Sequence, residues 1–350
     1  MKDKEPDDLQ ETGNEELYER FVIHTDKGQE AIRIDKFLVN RIYGATRNKV
    51  QQAINTGFIT VNGKEVRQNY KVRPGDDIIV YTDMEPESME ITPEKMDLNI
   101  VYEDNDIIVI NKQAGMVVHP GSGNRNGTLI NGVAWYLQQN DPTINEELLP
   151  RFGLVHRIDK NTSGLLLLAK NELAMKSLAK QFFDHTVKRR YVALVWGDLQ
   201  KDKGTINAHI GRHLRHRKLY EAYPEGDQGK EAITHYTVIE RFYYVTLVEC
   251  MLETGRTHQI RVHMKYIGHP LFNDELYGGN KIVKGTVFAK YRQFVDNCFA
   301  ICPRHALHAK TLGFIHPATN KEMFFESELP EEIQDVIGKW RTYSSARGVQ

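Results

Sequence analysis

Cysteine is scarce: Cys250, Cys298 and Cys302 are the only three in 350 residues, and none forms a CxxC pair. That argues against a disulfide framework and against a cysteine-ligated zinc site, and it fits a reducing compartment, the cytoplasm. Long apolar runs are missing too. The most obvious one, Leu165–Ala169, falls far short of the roughly 18 residues a membrane helix needs, so no membrane partner is expected. The opening decapeptide MKDKEPDDLQ has no apolar core, so no secretory signal is expected there. There is no internal repeat. The composition, 40% hydrophobic and 27% charged, is that of an ordinary globular chain. The length suggests roughly two domains, with no need of staples.

What is present is unevenly spread. Lys and Arg total 46 against 47 Asp and Glu, yet residues 1–20 hold eight acids and only three bases. Such a stretch is expected to be a disordered acidic tail. Residues 21–82 follow as a small compact unit. Ile34, Phe37, Leu38 and Ile42 fall on one face of a helix. Val50, Ala53 and Ile54 mark a second short helix, closed by Gly57. Phe58–Val61 and Ile78–Tyr81 read as strands, with Asn62-Gly63 and Pro74-Gly75-Asp76 as turns. From 31 to 81 there are nine Lys/Arg against four acids, and Arg41, Arg47 and Lys49 crowd the turn between the helices. A solvated helix face explains that cluster as simply as a polyanion site does. Residues 83–97, rich in Glu, Pro and Met, read as a linker.

Residues 98–345 form the larger unit. Ile107–Ile110 reads as a buried strand, and Met116–His119 as a second extended piece. Gly121–Gly127 is a glycine-rich loop, but it lacks the Walker lysine and the dinucleotide spacing. Leu165–Ala169, Tyr191–Trp196, Ile233–Ile239 and Val245–Leu252 read as strands. Asn171 caps a helix that buries Ala174, Leu178 and Phe182. Thr257–Ile267 is predicted to be helical, and Pro330 to open a helix reaching Trp340. Many strands between few helices, without βαβ alternation, predict an α+β fold around a mixed, largely antiparallel sheet.

The densest polar segment is His156-Arg157-Ile158-Asp159-Lys160-Asn161-Thr162-Ser163-Gly164, directly before the buried strand. Polar residues this near a core need partners, so they either line a site or act as caps and ion pairs. Ile158 interrupts the kinase His-Arg-Asp, and no other kinase signature is present. There are 14 histidines, and His258/His263 and His305/His308 stand close, but no third ligand has metal spacing, so no metal is expected. The stretch from His209 to Lys218, with Arg212 and Arg215, is basic and is followed by Tyr220 and Tyr223. That combination suits RNA or a plain surface insert.

Several of these segments resemble known families. RIDKFLVNRIYGATRNKVQQAINTGFITVNGKEV (33–66) resembles the S4 RNA-binding fold. HRIDKNTSGLLLLAK (156–170) is similar to the signature of the RluA/RluD family of RNA pseudouridine synthases. NKQAGMVVHPG, KRRYVALVWG, GRTHQIRVHM and LHAKTLGFIHP match further family motifs in order, with Gln113 where proline is common. The resemblance runs from Leu98 to about Trp340. It implies that a uridine in RNA is detached at N1, rotated and rejoined at C5, with no cofactor. It further implies that Asp159 is the catalytic carboxylate, paired with Arg261, and that Tyr191 stacks on uracil. Arg157 is expected to fill the space left by the flipped base, and Leu307 to wall the pocket, with His156 and Thr162 as further substrate contacts. Arg41, Arg47, Lys49, Arg212 and Arg215 are the expected RNA contacts, made to phosphates without sequence readout. Large-subunit ribosomal RNA, free or in an assembling subunit, is the expected substrate. Transfer RNA, or a non-catalytic assembly factor on the same fold, are the alternatives.

Overall fold

The computed structural model describes residues 18–42, 45–82, 91–121, 124–213 and 219–346. The acidic stretch 1–17, the first half of the expected linker, and Arg215 lie outside the described residues. The chain divides into two compact units, 1–90 and 91–350.

In the first unit, β1 (Tyr18–His24) is followed by α1 (Ile34–Arg41), α2 (Arg47–Asn55), β2 (Ile59–Val61), β3 (Lys64–Glu65) and β4 (Asp77–Thr82). The strands pair antiparallel in the order β1-β4-β2-β3. Ile34, Phe37 and Leu38 of α1 meet Val50 and Ile54 of α2 over Ile59, Val61, Val72 and Ile78, all buried. Ile42 falls just past α1, as its C-terminal cap. Thr46 caps α2 by accepting the Lys49 amide. Asn62 and Gly63 both take positive φ, 52° and 73°, as a tight hairpin requires. β1 begins at Tyr18, inside the stretch whose composition reads as tail. It is the edge strand of its sheet, with Phe21 and Val22 exposed.

The second unit starts at Ile91, not at Leu98. Residues 91–97, expected as linker, pack on this unit instead. Ile91 is buried, the Thr92 carbonyl accepts from Asn131, and the Glu94 carboxylate accepts the Gly127 amide. The strands are β5 (Ile100–Glu103), β6 (Ile107–Lys112), β7 (Ser163–Ala169), β8 (Lys188–Trp196), β9 (Lys203–Asn207), β10 (His209–Arg212), β11 (Tyr220–Tyr223), β12 (Ile233–Arg241), β13 (Val245–Leu252), β14 (Leu307–Ile315) and β15 (Glu322–Glu326). The helices are α3 (Leu129–Asn140), α4 (Glu172–Phe183), α5 (Gln259–Tyr266), α6 (Ala289–Ile301) and α7 (Glu331–Ser345).

One large sheet runs β5-β6-β7-β14-β8-β13-β12-β9, with β15 on β14. Its pairings are antiparallel except β7 with β14. The architecture is α+β, mixed and largely antiparallel. Period two shows in β6 and β7. Ile108, Ile110, Leu166 and Leu168 face the core under α3, while Ile107, Val109, Leu165, Leu167 and Ala169 face the core under α4. A third core gathers Trp196 and Phe272 with Trp340 of α7.

The extended piece Met116–His119 joins no sheet. The Val117 and Val118 carbonyls instead accept the Leu129 and Ile130 amides that open α3. The helix expected from Thr257 begins at Gln259, because His258 is left-handed, with φ 58°.

Candidate active site

The loop before β7 carries Asp159. Its turn is closed by the Thr162 amide donating to the Asp159 carbonyl at 3.1 Å. Gly164 then has φ 114°, and a Cβ there would lie 2.3 Å from the Ala309 oxygen, so β7 and β14 meet where only glycine fits. Two buried cations hold the backbone after Asp159. Lys112 Nζ donates to the carbonyls of Gln113, Met116 and Lys160 at 2.8, 2.9 and 3.0 Å. Arg304 Nη1 donates to the Asn161 carbonyl at 2.9 Å, and Nη2 to Glu332 at 2.7 Å. Burial, with the Arg304 charge adding to it, pushes the Lys112 ammonium down to about 7.

The Asp159 side chain itself is 21% exposed. Arg261 Nη1 donates to its Oδ2 at 3.0 Å. The same guanidinium grips Asp274 with Nε at 2.8 Å and Nη2 at 2.9 Å. It also lies over the Tyr277 ring at 4.9 Å. Burial works against the charge on Arg261, but Asp274 and Asp159 outweigh it and raise its proton affinity. Asp274 is wholly buried and balances Arg261, so the trio keeps one net negative charge, on the carboxylate that faces the opening.

The other oxygen of Asp159 faces His258, whose Nε2 is 4.0 Å from Oδ1. His258 Nδ1 lies 2.8 Å from the Tyr277 hydroxyl, and that oxygen also accepts the Tyr220 amide. The Tyr277 hydroxyl thus ties the His258 ring to the Tyr220 backbone and fixes its orientation beside Asp159. Burial lowers the pKa of this ring.

A cleft of about 280 Å³ opens beside Asp159. It is lined by all seven residues singled out for the site: Asp159, Tyr191, Arg261, Arg157, Leu307, His156 and Thr162. A second cavity, about 780 Å³, is also lined by Asp159, Arg157, His258 and Arg261. Tyr191 is buried in β8, and burial raises its pKa. Arg157 is exposed and makes no ion pair among the described residues. Leu307 is buried where β14 begins. Two candidates each commit one polar atom to the fold. His156 Nε2 accepts the Leu167 amide at 2.9 Å, and Thr162 Oγ1 lies 3.0 Å from His305 Nε2. Asp274, Tyr277, Lys112 and Arg304 carry no sequence signal of their own, because each gains its role only when folded loops bring it to its partners.

The expected RNA contacts are spread wider. Lys49 is exposed, and Arg41 lies over Phe37 at 5.0 Å. Arg47 is partly committed, since its Nε donates to buried Asp35 at 3.0 Å. Burial of Asp35 works against its charge, but hydrogen bonds from Gln51, Arg33 and Arg47 outweigh it and hold the carboxyl below its usual range. In the second unit, Arg212 closes β10 over the Tyr220 ring at 5.8 Å.

The paired histidines do not converge on a metal. His263 contacts Thr234 and the Ala208 carbonyl, while His308 contacts Ser163 and Ser327. Asp104, Asp106 and His316 place ligand atoms within 4.8 Å of one another. However, Asp104 already accepts from two backbone amides and from Tyr102. Among the described residues no helix is long and apolar enough to cross a membrane.

One buried guanidinium thus holds a carboxylate beside a cleft that Tyr191 helps to line. Comparison with known proteins supplies the family. The RNA pseudouridylate synthase family profile matches residues 106–266, and the S4 domain profile residues 32–78. An uncharacterized RNA pseudouridine synthase of Chlorobaculum parvum is 43% identical, over 93% of this chain and 99% of its own length. Ribosomal large subunit pseudouridine synthase D of Nitrosomonas europaea is 38% identical, over 94% of this chain and 90% of its own. Among solved structures, human RNA pseudouridylate synthase domain containing 4 shares the fold, with TM-score 0.55 and 21% identity over 69% of this chain and 93% of its own. The chain belongs to the RNA pseudouridine synthase family and carries an S4 domain.

Proposed function

We propose that this protein isomerises specific uridines of large-subunit ribosomal RNA to pseudouridine, in the cytoplasm, with Asp159 as the catalytic carboxylate. The observation that carries the reading is the Asp159–Arg261–Asp274 arrangement, which keeps one ionised carboxylate beside a cleft of nucleotide size. A carboxylate there can act on the sugar or the base. The target base must leave its helix to reach the carboxylate. Tyr191 offers a ring for it to stack on, Leu307 an apolar wall, and exposed Arg157 a side chain long enough to enter the vacated space. The basic turn of the S4 unit adds phosphate contacts. The ribosomal target is supported by relatives named for the large ribosomal subunit.

The test is to incubate the protein with unmodified large-subunit rRNA and, separately, with unmodified tRNA transcripts, and to map pseudouridines in both. Discrete sites in the rRNA alone are the expected result. Sites in tRNA alone would overturn the ribosomal target, and none in either transcript nor in assembling large subunits would overturn the catalytic reading.

A further inference from the structure

Arg189 and Tyr191 stand two residues apart on β8, so both side chains leave the same face of the sheet. Both line the cleft beside Asp159. Arg189 is only 8% exposed, yet it makes no hydrogen bond or ion pair among the described residues, and its Nε is buried without an acceptor. Its guanidinium lies 5.4 Å over the Phe182 ring. Stacking of that kind leaves the in-plane N–H donors unsatisfied, and an uncompensated buried cation is costly to the fold.

A second donor stands in the same place. Because His156 Nε2 accepts the Leu167 amide, the neutral ring carries its proton on Nδ1. That Nδ1 is also buried without a partner, and the ring stacks on Phe182 at 4.5 Å. Gly255 keeps the space open, since a Cβ there would lie 2.9 Å from Arg189 Nη1. Two unmatched donors around one aromatic ring, with room left beside them, fit a flat ligand rich in acceptor oxygens.

The isomerisation supplies such a group. When the N1–C1′ bond breaks, its electron pair stays with the base, and the charge spreads over N1 and the two carbonyl oxygens. The C5–C1′ bond then forms, C5 loses its proton and N1 takes one up, so the reaction balances without a further reagent. We propose that Arg189 is a further catalytic residue whose guanidinium binds the carbonyl edge of the extruded uracil and stabilises the charge on the detached base, with His156 Nδ1 as a second donor. Cytosine would set its amino group against these donors, so the same arrangement selects uracil. The inference rests on the isomerase reading above.

The test follows tritium released from C5-tritiated uridine in rRNA transcript, under single turnover with enzyme in excess. The tRNA transcript replaces it if that is what the wild type modifies, which separates failure of the ribosomal reading from failure of this one. Arg189→Met is expected to slow release by roughly 100-fold. RNA affinity is expected to change by less than about 3-fold, and the melting temperature not to fall, because a costly buried cation has been removed. Arg189→Lys is expected to regain part of the rate, and Gly255→Ala to lose part of it by crowding Nη1. An unchanged rate for Arg189→Met would overturn the proposal. So would a lower melting temperature with full turnover, which marks a structural role. Weaker binding with a shallower salt slope and an intact rate would assign Arg189 to a phosphate instead.

Discussion

Arg261 gives Asp159 a single hydrogen bond, from Nη1 to Oδ2 at 3.0 Å, and spends its bidentate face elsewhere, on Asp274. The division matters for chemistry. A guanidinium committed in full to Asp159 would hold both oxygens and blunt the carboxylate. Sharing Arg261 with Asp274 orients Asp159 and leaves Oδ1 free of the guanidinium, with His258 Nε2 4.0 Å away.

Asp274→Asn is therefore expected to slow the reaction although it touches no substrate. Freed from its partner, Arg261 can swing fully onto Asp159. A loss of about 10–100-fold in single-turnover rate is expected, with RNA affinity unchanged. Parallel rate and binding measurements check this. A rate equal to wild type would show that the partition of Arg261 is immaterial.

Stability is expected to fall in mild acid through buried histidines. Burial, with the Arg189 charge, pushes His156 down to about 3. Burial, with Arg304 and Lys310, pushes His308 down to about 4. Both folded values lie below the unfolded value of about 6.5, so below that pH the unfolded chain binds more protons. Their contribution is complete above about pH 6.5 and is lost as pH falls towards the folded values, at about 1.4 kcal/mol per pH unit for each ring. Urea unfolding between about pH 7 and about 4.5 measures this, and His156→Phe should flatten the acid limb.

Gly164→Ala is expected to cost several kcal/mol. The residue sits at φ 114°, and its new Cβ would lie 2.3 Å from the Ala309 oxygen, where β7 and β14 pair in parallel. Chemical denaturation reads the loss directly. A cost below about 1 kcal/mol would mean that the strands can part there.

Charge reversal at Lys49 tests the S4 surface. The side chain is exposed and the amide serves only the Thr46 cap, so Lys49→Glu leaves the fold intact. RNA affinity should weaken and the salt slope should shrink by about 1. Arg47→Glu confounds the two effects, because Arg47 also neutralises buried Asp35. An unchanged slope for Lys49→Glu would remove this face from RNA binding.

Local signals explain what the sequence reveals. The all-apolar run Leu165–Ala169 announced a buried strand, and Asn171 its following helix, because caps and periodicity lie within a few residues. That Asp159, Arg261, Tyr191 and Leu307 share one cleft was legible through the family motifs in which each stands. Asp274 and Tyr277 were not, since their roles arise only when the segment after α5 folds back on Arg261. Nor was Arg189, whose importance is the absence of a partner. β1 escaped notice as an exposed edge strand, and residues 91–97 misled because polar composition hid the single buried anchor Ile91.

The most direct test replaces Asp159 with asparagine, which keeps shape and hydrogen bonding but removes the charge. Wild type and Asp159→Asn are compared for C5-tritium release from the RNA that the wild type modifies. Release should drop by at least about 1,000-fold, while RNA affinity and melting temperature stay near wild type. Release at the wild-type rate from Asp159→Asn would contradict the account at its centre.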